Sequence, residues 1–104
     1  MTGASRGIGA AIAATLALMG AATTLIGRDR EALAHVAVGS ATARAIVCDV
    51  TDPAQVEKAF ADARARAPVA ILVNNAGAAE SAPFLKTSDV MLERMLSVNL
   101  ASAF

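Results

Sequence analysis

The sequence contains no tryptophan and no tyrosine, and three phenylalanines are its only aromatic residues. Its one cysteine, Cys48, excludes a disulfide framework and a metal site built from cysteines. Nine basic and nine acidic side chains are mixed along the chain, so the formal net charge is zero and no basic stripe or acidic tail is present. These absences argue against a protein that binds nucleic acid or carries a disordered acidic segment.

Charge is also missing from one long stretch, residues 7–27. A membrane helix needs about 20 apolar residues, but glycines and three threonines interrupt this stretch, which divides into a helix and a strand. No basic segment precedes a hydrophobic one at the start, as it would in a signal peptide. We therefore expect a cytoplasmic protein without a membrane segment.

What the sequence has in quantity is aliphatic side chains, and 56% of its residues are hydrophobic. Their spacing predicts helices over residues 7–19, 29–38, 52–67 and from 88 onward, and strands over residues 22–26, 43–48 and 70–74. The third helix has the clearest start, because Asp52 can cap it, Pro53 suits its first position and Gln55 stands where a capping-box partner would.

The predicted strands read as continuous apolar runs, which is typical of strands buried on both faces of a parallel sheet. Helices separate these strands, and every connection is short. The pattern predicts one domain over residues 1–104 with a doubly wound α/β fold.

A glycine-rich loop, Thr2-Gly3-Ala4-Ser5-Arg6-Gly7-Ile8-Gly9, precedes the first predicted helix. Gly3 allows a tight turn, Gly7 lets the backbone approach a pyrophosphate, and Gly9 lets the helix pack close to the sheet. The start of the helix then offers free N–H groups and a partial positive charge to phosphates. On glycine spacing alone, an ordinary glycine-rich turn is the alternative.

Three further motifs accompany the loop: Asp49 after a strand, Asn74-Asn75-Ala76-Gly77 after another, and Val98-Asn99-Leu100 in the last helix. Together with Gly3-x-x-x-Gly7-x-Gly9, they resemble the short-chain dehydrogenase/reductase family over residues 2–100. The resemblance implies a Rossmann-like, doubly wound parallel sheet in strand order 3-2-1-4. The first strand of that sheet, in its middle, and the C-terminal strands are missing from the sequence.

The resemblance also implies residue roles. The pyrophosphate and the adenosine ribose would be lined by Gly3, Ser5, Arg6, Gly7, Ile8 and Gly9. The adenine ring would contact Asp49 and Val50, and the cofactor riboses would lie beside Asn75, Ala76 and Gly77, while Asn74 steadies the sheet. Asn99 matches a catalytic asparagine that supports a proton relay. The alternative role of Asp49 is that of a turn or helix-capping residue, and without the family Asn99 would be interpreted as a solvent-facing residue of the helix.

The choice of cofactor depends on the end of the second strand of the family's sheet. Family members that prefer NAD usually carry an acid there, whereas this sequence has Gly27, followed by Arg28. Arg28 and Arg6 could hold the additional phosphate of NADP, and Asp29 stands where it would cap the next helix. We therefore favour NADP over NAD; the alternative is that Arg28 is a solvated charge.

Catalysis in the family needs a serine and a Tyr-x-x-x-Lys motif, and this sequence has no tyrosine. Lys58 and Lys86 lie at the wrong places to substitute, so only Asn99 represents the catalytic set. We expect an inactive piece of an NADP-dependent oxidoreductase that interconverts a carbonyl and an alcohol. A 3-oxoacyl thioester is a reasonable substrate, and the longer parent is expected to be a homo-oligomer.

Two alternatives remain for the chain itself: a catalytically silent module that binds nucleotide or a partner subunit, and a non-functional truncated product. The last helix bears on the first alternative, because Met91, Met95 and Leu96 form an apolar stripe. The stripe would pack on the chain's own sheet or against another subunit.

Overall fold

Helices and strands alternate along the chain, as the sequence predicts. A computed structural model describes residues 1–104. Its elements are α1 (Gly7–Leu18), β1 (Thr23–Gly27), α2 (Arg30–Val38), β2 (Ala43–Val47), α3 (Pro53–Arg66) and α4 (Asp89–Asn99), with two short 3-10 turns, Phe84–Lys86 and Ala101–Ala103. None of the helices combines the length and apolar character needed to cross a membrane.

Three of the four α-helices begin at a side-chain cap. The Asp29 carboxylate accepts a hydrogen bond from the N–H of Ala32, the Asp52 carboxylate accepts from two N–H groups, and the Ser88 hydroxyl accepts from one. Each cap satisfies N–H groups that have no partner within their own helix. The helix α1 differs, because Arg6 precedes it and provides no side-chain cap.

The strands β1 and β2 pair in parallel, with Thr23 opposite Ala43 and Gly27 opposite Val47. The other edge of β1 bonds to the first residues of the chain: the N–H of Ile26 donates to the carbonyl of Met1 over 2.9 Å, and Thr2 forms a parallel bridge with Ile26. Met1 and Thr2 therefore occupy the end of a strand position next to β1.

The predicted strand over residues 70–74 is wrong, because this segment is extended but belongs to no strand. Its one backbone hydrogen bond runs from the N–H of Thr2 to the carbonyl of Val73, over 3.0 Å. A strand requires a partner along its length, and only Thr2 provides one. The order across the sheet is nevertheless β2, β1, the Met1–Thr2 segment and Val73, which agrees with the order that the resemblance implies.

Small apolar cores lie on both faces of the sheet. Leu25 packs with Ala13 of α1 and Leu33 of α2, whereas the next residue, Ile26, packs with Cys48 and with Ala59 of α3. Successive residues of a strand point to opposite faces, so helices cover β1 from both sides. This arrangement is the doubly wound α/β pattern that the sequence predicts.

The last helix, α4, lies apart from both cores and buries none of its residues. Met91 and Met95 are half-buried, but Leu96 exposes 49% of its surface. An ion pair between Arg94 and Glu80 ties the helix to the loop before it. The apolar stripe of Met91, Met95 and Leu96 therefore does not pack as a whole on the chain's own sheet.

Candidate functional site

A cleft of about 290 Å³ opens at the carboxyl ends of β1 and β2. In an open α/β sheet, ligands bind at this edge because the loops after neighbouring strands converge there. Eleven of the predicted cofactor-binding residues line the cleft: Gly3, Ser5, Arg6, Ile8, Gly9, Arg28, Asp49, Val50, Asn75, Ala76 and Gly77. Gly7 and Asn99 are not among its lining residues, which also include Gly27, Cys48 and Val98.

The start of α1 presents unpaired backbone N–H groups. Those of Gly7, Ile8 and Gly9 donate no hydrogen bond, and the first turn of α1 holds no acidic side chain. Gly7 has φ of 56° and no atom within 4 Å of the place where a Cβ would stand. An uncapped helix start with open space beside it is suited to bind an anion.

Close packing holds the glycine loop against Asn75. The side-chain amide of Asn75 donates to the carbonyls of Thr2 and Gly3 over 3.2 and 3.1 Å. A Cβ on Gly3 would lie 2.8 Å from Asn75 Nδ2, and a Cβ on Gly9 would lie 2.6 Å from the same atom and collide with the carbonyl oxygen of Gly3. The backbone of this loop approaches Asn75 so closely that a side chain at Gly3 or Gly9 has no space.

The hydroxyl of Thr2 fixes the same junction from the other side, a role that the sequence reasoning missed. Thr2 Oγ1 accepts hydrogen bonds from the N–H groups of Asn75 and Ala76, over 3.1 and 3.0 Å. Thr2 is buried, and its hydroxyl oxygen satisfies both of these N–H groups at the edge of the core. The sequence signal that could have indicated this role is the position of Thr2, directly before Gly3, the first glycine of the loop.

Hydrogen bonds from Thr51 hold Asp49 in place at the cleft. Thr51 donates its N–H and its hydroxyl to Asp49 Oδ1, over 3.0 and 2.7 Å. These bonds hold the pKa of Asp49 below its ordinary value, and the nearby charge of Arg28 lowers it further. Asp49 is therefore an ionised carboxylate at neutral pH. It accepts the hydrogen bonds of a turn from Thr51 and also lines the cleft, so both of its predicted roles are compatible.

Gln55 does not close the predicted capping box. Its Oε1 accepts from the N–H of Asp49 over 3.0 Å, and its Nε2 donates to Asp52 Oδ2 over 2.8 Å. The N–H of Asp52 instead donates to the carbonyl of Asp49 in a tight turn, so it is not available to Gln55. Gln55 thereby links the start of α3 to the backbone of a cleft residue.

Cys48 lies in the wall of the cleft as a buried thiol. Burial raises its pKa, and the negative charges of Asp49 and Asp52 raise it further. The thiol is therefore protonated at neutral pH. A protonated, buried thiol behaves as a small apolar group and not as a nucleophile.

Two arginines lie at the end of β1. Arg6 and Arg28 are both exposed and both line the cleft, whereas Gly27, the last residue of β1, has no side chain. The neighbouring acid, Asp29, is engaged as the cap of α2, as predicted. This end of the cleft therefore carries guanidinium groups and no free carboxylate on β1.

The amide of Asn99 is engaged with a single residue. Asn99 Oδ1 accepts from the N–H of Ala78, and Asn99 Nδ2 donates to the carbonyl of Ala78, each over 2.9 Å. The side chain of Asn74 donates to the carbonyl of Ala103 over 3.4 Å, so it contacts the end of the chain. In this structure Asn99 holds the segment that follows Gly77.

Comparisons with known proteins find relatives along the whole of this chain. The sequence profile of the family described as short chain dehydrogenase matches residues 1–104. A galactitol 2-dehydrogenase (L-tagatose-forming) of Cereibacter sphaeroides is 42% identical over 106 residues, covering 100% of this chain and 42% of the relative. A 3-oxoacyl-(acyl-carrier-protein) reductase FabG of Escherichia coli K12 is 38% identical over 108 residues, covering 100% of this chain and 43% of that protein.

Solved structures share the fold. A short-chain dehydrogenase/reductase from Brucella melitensis superposes with a TM-score of 0.95 at 34% identity, covering 100% of this chain and 46% of that chain. An actinorhodin polyketide ketoreductase with NADPH superposes with a TM-score of 0.92 at 30% identity, covering 99% of this chain and 41% of that chain. The predicted Rossmann-like fold is confirmed, and the chain spans less than half the length of these relatives.

Proposed function

Because this chain belongs to the short-chain dehydrogenase family, we propose that it forms the dinucleotide-binding part of an NADP-dependent oxidoreductase. That enzyme interconverts a carbonyl and an alcohol. The observation that carries the proposal is the uncapped start of α1, whose free N–H groups stand beside the open space at Gly7. The cleft next to it gathers the residues that the family resemblance assigns to the cofactor.

Each part of the cofactor has fitting residues in the cleft. The pyrophosphate would lie at the N–H groups of α1, beside Ser5 and Arg6, where the helix dipole favours negative charge. The riboses would lie against the segment 75–77, and the adenine against Asp49 and Val50. The bound nicotinamide would supply or accept the hydride, while this chain binds and orients it.

The preference for NADP is supported by charge. Arg6 and Arg28 can pair with an additional phosphate, and no acid ends β1 to repel it. The structural relative with NADPH is consistent with this choice. Relatives named as a 3-oxoacyl-(acyl-carrier-protein) reductase and as a ketoacyl reductase of a polyketide synthase support a 3-oxoacyl carbonyl substrate for the longer enzyme.

Residues 1–104 bind without turnover in this proposal, because they contain no tyrosine to move a proton at the substrate oxygen. Asn99 contributes by holding the segment after Gly77 through Ala78. The exposed apolar side chains of α4, with Val90 at 73% and Leu92 at 52% exposure, support contact with a second subunit in the parent enzyme.

Titration calorimetry with NADPH and NADH tests the proposal. We expect NADPH to bind the 104-residue chain at least about tenfold more tightly than NADH, since one charge-assisted contact is worth about 1.5–3 kcal/mol and 1.4 kcal/mol is a factor of about ten. Arg28→Ala should reduce that difference, because only Arg6 would remain to pair with the phosphate, whereas Arg64→Ala, which alters an exposed arginine of α3 outside the cleft, should preserve it. Absence of binding, or equal binding of both cofactors by the unaltered chain, would contradict the proposal.

A further inference from the structure

A network of hydrogen bonds at the edge of the cleft joins the end of β2 to the start of α3, and Asp49 is at its centre. The N–H of Asp49 donates to Gln55 Oε1 over 3.0 Å, and its carbonyl accepts from the N–H of Asp52 over 3.1 Å. Its Oδ1 accepts twice from Thr51. The second carboxylate oxygen, Oδ2, takes no part in this network, so it is the group of Asp49 that is free for a ligand.

The next residue, Val50, adds a hydrogen-bond donor. Its N–H donates no hydrogen bond, and Val50 lines the cleft together with Asp49. A free carboxylate oxygen and a free N–H on adjacent residues complement the edge of a base that carries one donor and one acceptor, such as adenine. Binding of the base therefore depends on how the backbone at residues 49 and 50 is oriented.

Gln55 holds that backbone from outside the cleft. It is exposed and is not a lining residue, so it acts on a ligand only through Asp49. In a capping box, the side chain at this position bonds to the N–H of the cap residue, but the carbonyl of Asp49 already accepts from the N–H of Asp52. Gln55 bonds to the N–H of Asp49 in its place, and its donation to Asp52 Oδ2 over 2.8 Å keeps Oε1 pointing at Asp49.

We propose that Gln55 is a positioning residue for the base of the bound nucleotide, because it holds the backbone of Asp49 and Val50 in the orientation that binds adenine. The inference rests on the proposed function, which places adenine against these two residues. It assigns to a residue of α3 a part in nucleotide binding that neither the lining of the cleft nor the helix cap reveals.

The amide of Gln55 is suited to this role because one end accepts a hydrogen bond while the other end donates one. Hydrogen bonds from Gln55 lower the pKa of Asp52, so Asp52 is ionised at neutral pH. A carboxylate in place of the amide would still accept from Asp49, but it would stand against the charge of Asp52, and like charges at that distance repel. An apolar side chain would make neither bond.

Binding of two ligands by Gln55→Met tests the proposal. Methionine is similar in length but makes neither hydrogen bond, so ADP should bind about fivefold more weakly in titration calorimetry, as for the loss of one hydrogen bond. Inorganic pyrophosphate has no base and should bind at the start of α1 with unchanged affinity, followed by NMR of the Gly7, Ile8 and Gly9 amides. A purely structural role would not separate the two ligands, because unfolding lowers both affinities.

The control for this substitution is Glu57→Met, which alters an exposed residue of α3 outside the cleft. It should change either affinity by less than about twofold, because salt screens an exposed charge.

A reversed pair of substitutions separates orientation from charge. Gln55→Glu keeps the acceptor for Asp49 but opposes Asp52, so ADP should again bind about fivefold more weakly. Adding Asp52→Asn supplies an amide donor opposite the new carboxylate, and asparagine still caps α3. The double variant has the net charge of the unaltered chain, and its affinity for ADP should return to within about twofold of the original.

The outcomes distinguish this inference from the proposed function. If the unaltered chain binds neither ADP nor NADPH, the proposed function fails and the inference fails with it. If the unaltered chain binds ADP, but Gln55→Met binds it equally well or loses pyrophosphate to the same extent, only the inference fails. A double variant that binds ADP as weakly as Gln55→Glu also overturns it. Where Gln55→Met is unfolded by circular dichroism, the comparison of Gln55→Glu with the double variant decides.

Discussion

Replacing Gly9 by alanine should destabilise the chain, because the added methyl group has no space. It would collide with the carbonyl oxygen of Gly3 and lie 2.6 Å from Asn75 Nδ2. Relief requires the start of α1 to move away from the glycine loop. Overpacking costs about 3 kcal/mol when backbone must shift, whereas alanine gains about 1 kcal/mol over glycine within a helix. The free energy of unfolding should therefore fall by about 2 kcal/mol.

Thermal unfolding followed by far-UV circular dichroism measures this effect. For a domain of this length, 1 kcal/mol corresponds to about 4–8 °C, so Tm should fall by about 8–16 °C. Gly39→Ala is the matched control, because Gly39 has φ of −74° and no atom within 4 Å of the added Cβ. That substitution should raise stability by about 0.4–1 kcal/mol.

An unchanged Tm for Gly9→Ala would refute the reasoning, since it would mean that α1 does not approach the glycine loop as closely as the structure has it. A comparable loss of stability in Gly39→Ala would also refute it. That outcome would show a general intolerance to alanine that has nothing to do with the junction at Asn75.

Two further predictions concern hydrogen bonds outside this contact. Thr2→Val keeps the shape of the side chain but removes the acceptor for two N–H groups. Urea unfolding should show that the free energy of unfolding falls by about 2 kcal/mol, whereas Thr2→Ser should retain most of the stability. Equal losses of stability in the two variants would contradict the role of the hydroxyl. The second prediction concerns acid: hydrogen bonds from Gln55 lower the pKa of Asp52, and those from Thr51 lower that of Asp49. The stability from these depressed pKa values is present above the ordinary range of a carboxyl, about 4, and is lost as pH falls through the lowered values. The urea midpoint should therefore drop below about pH 4 and drop less steeply in Asp52→Asn; the same slope in both chains would count against it.

Local signals in the sequence were sufficient for most of the helices and strands. Asp52 and Pro53 mark the start of α3 because capping and the fixed φ of proline act within one turn. The segment 70–74 was predicted incorrectly for the opposite reason. Its apolar residues suit a strand, but a strand exists only where another segment pairs with it, and Thr2 alone does so.

The candidate site could be predicted as a set of residues but not as a set of contacts. The loops after parallel strands share one edge of the sheet, so Gly3, Asp49 and Asn75 were expected to converge, and the cleft contains all three. The bond between Thr2 and Asn75 joins residues 73 positions apart. The geometry of this bond depends on packing between distant segments. The same holds for the hydrogen bond that Gln55 Oε1 accepts from the N–H of Asp49.

The two contacts of α4 lie at different points along its length, the ion pair of Arg94 with Glu80 and the hydrogen bonds of Asn99 with Ala78. An α-helix rises about 1.5 Å per residue, so α4 is a rod of about 16 Å whose C-terminal end is joined to Ala78 by the two hydrogen bonds of Asn99. The residue after the cleft residue Gly77 is therefore held by the last residue of α4, and the segment before α4 is held by Arg94 from the middle of the helix. One helix thus fixes both ends of the segment 78–80, which continues directly from the cleft.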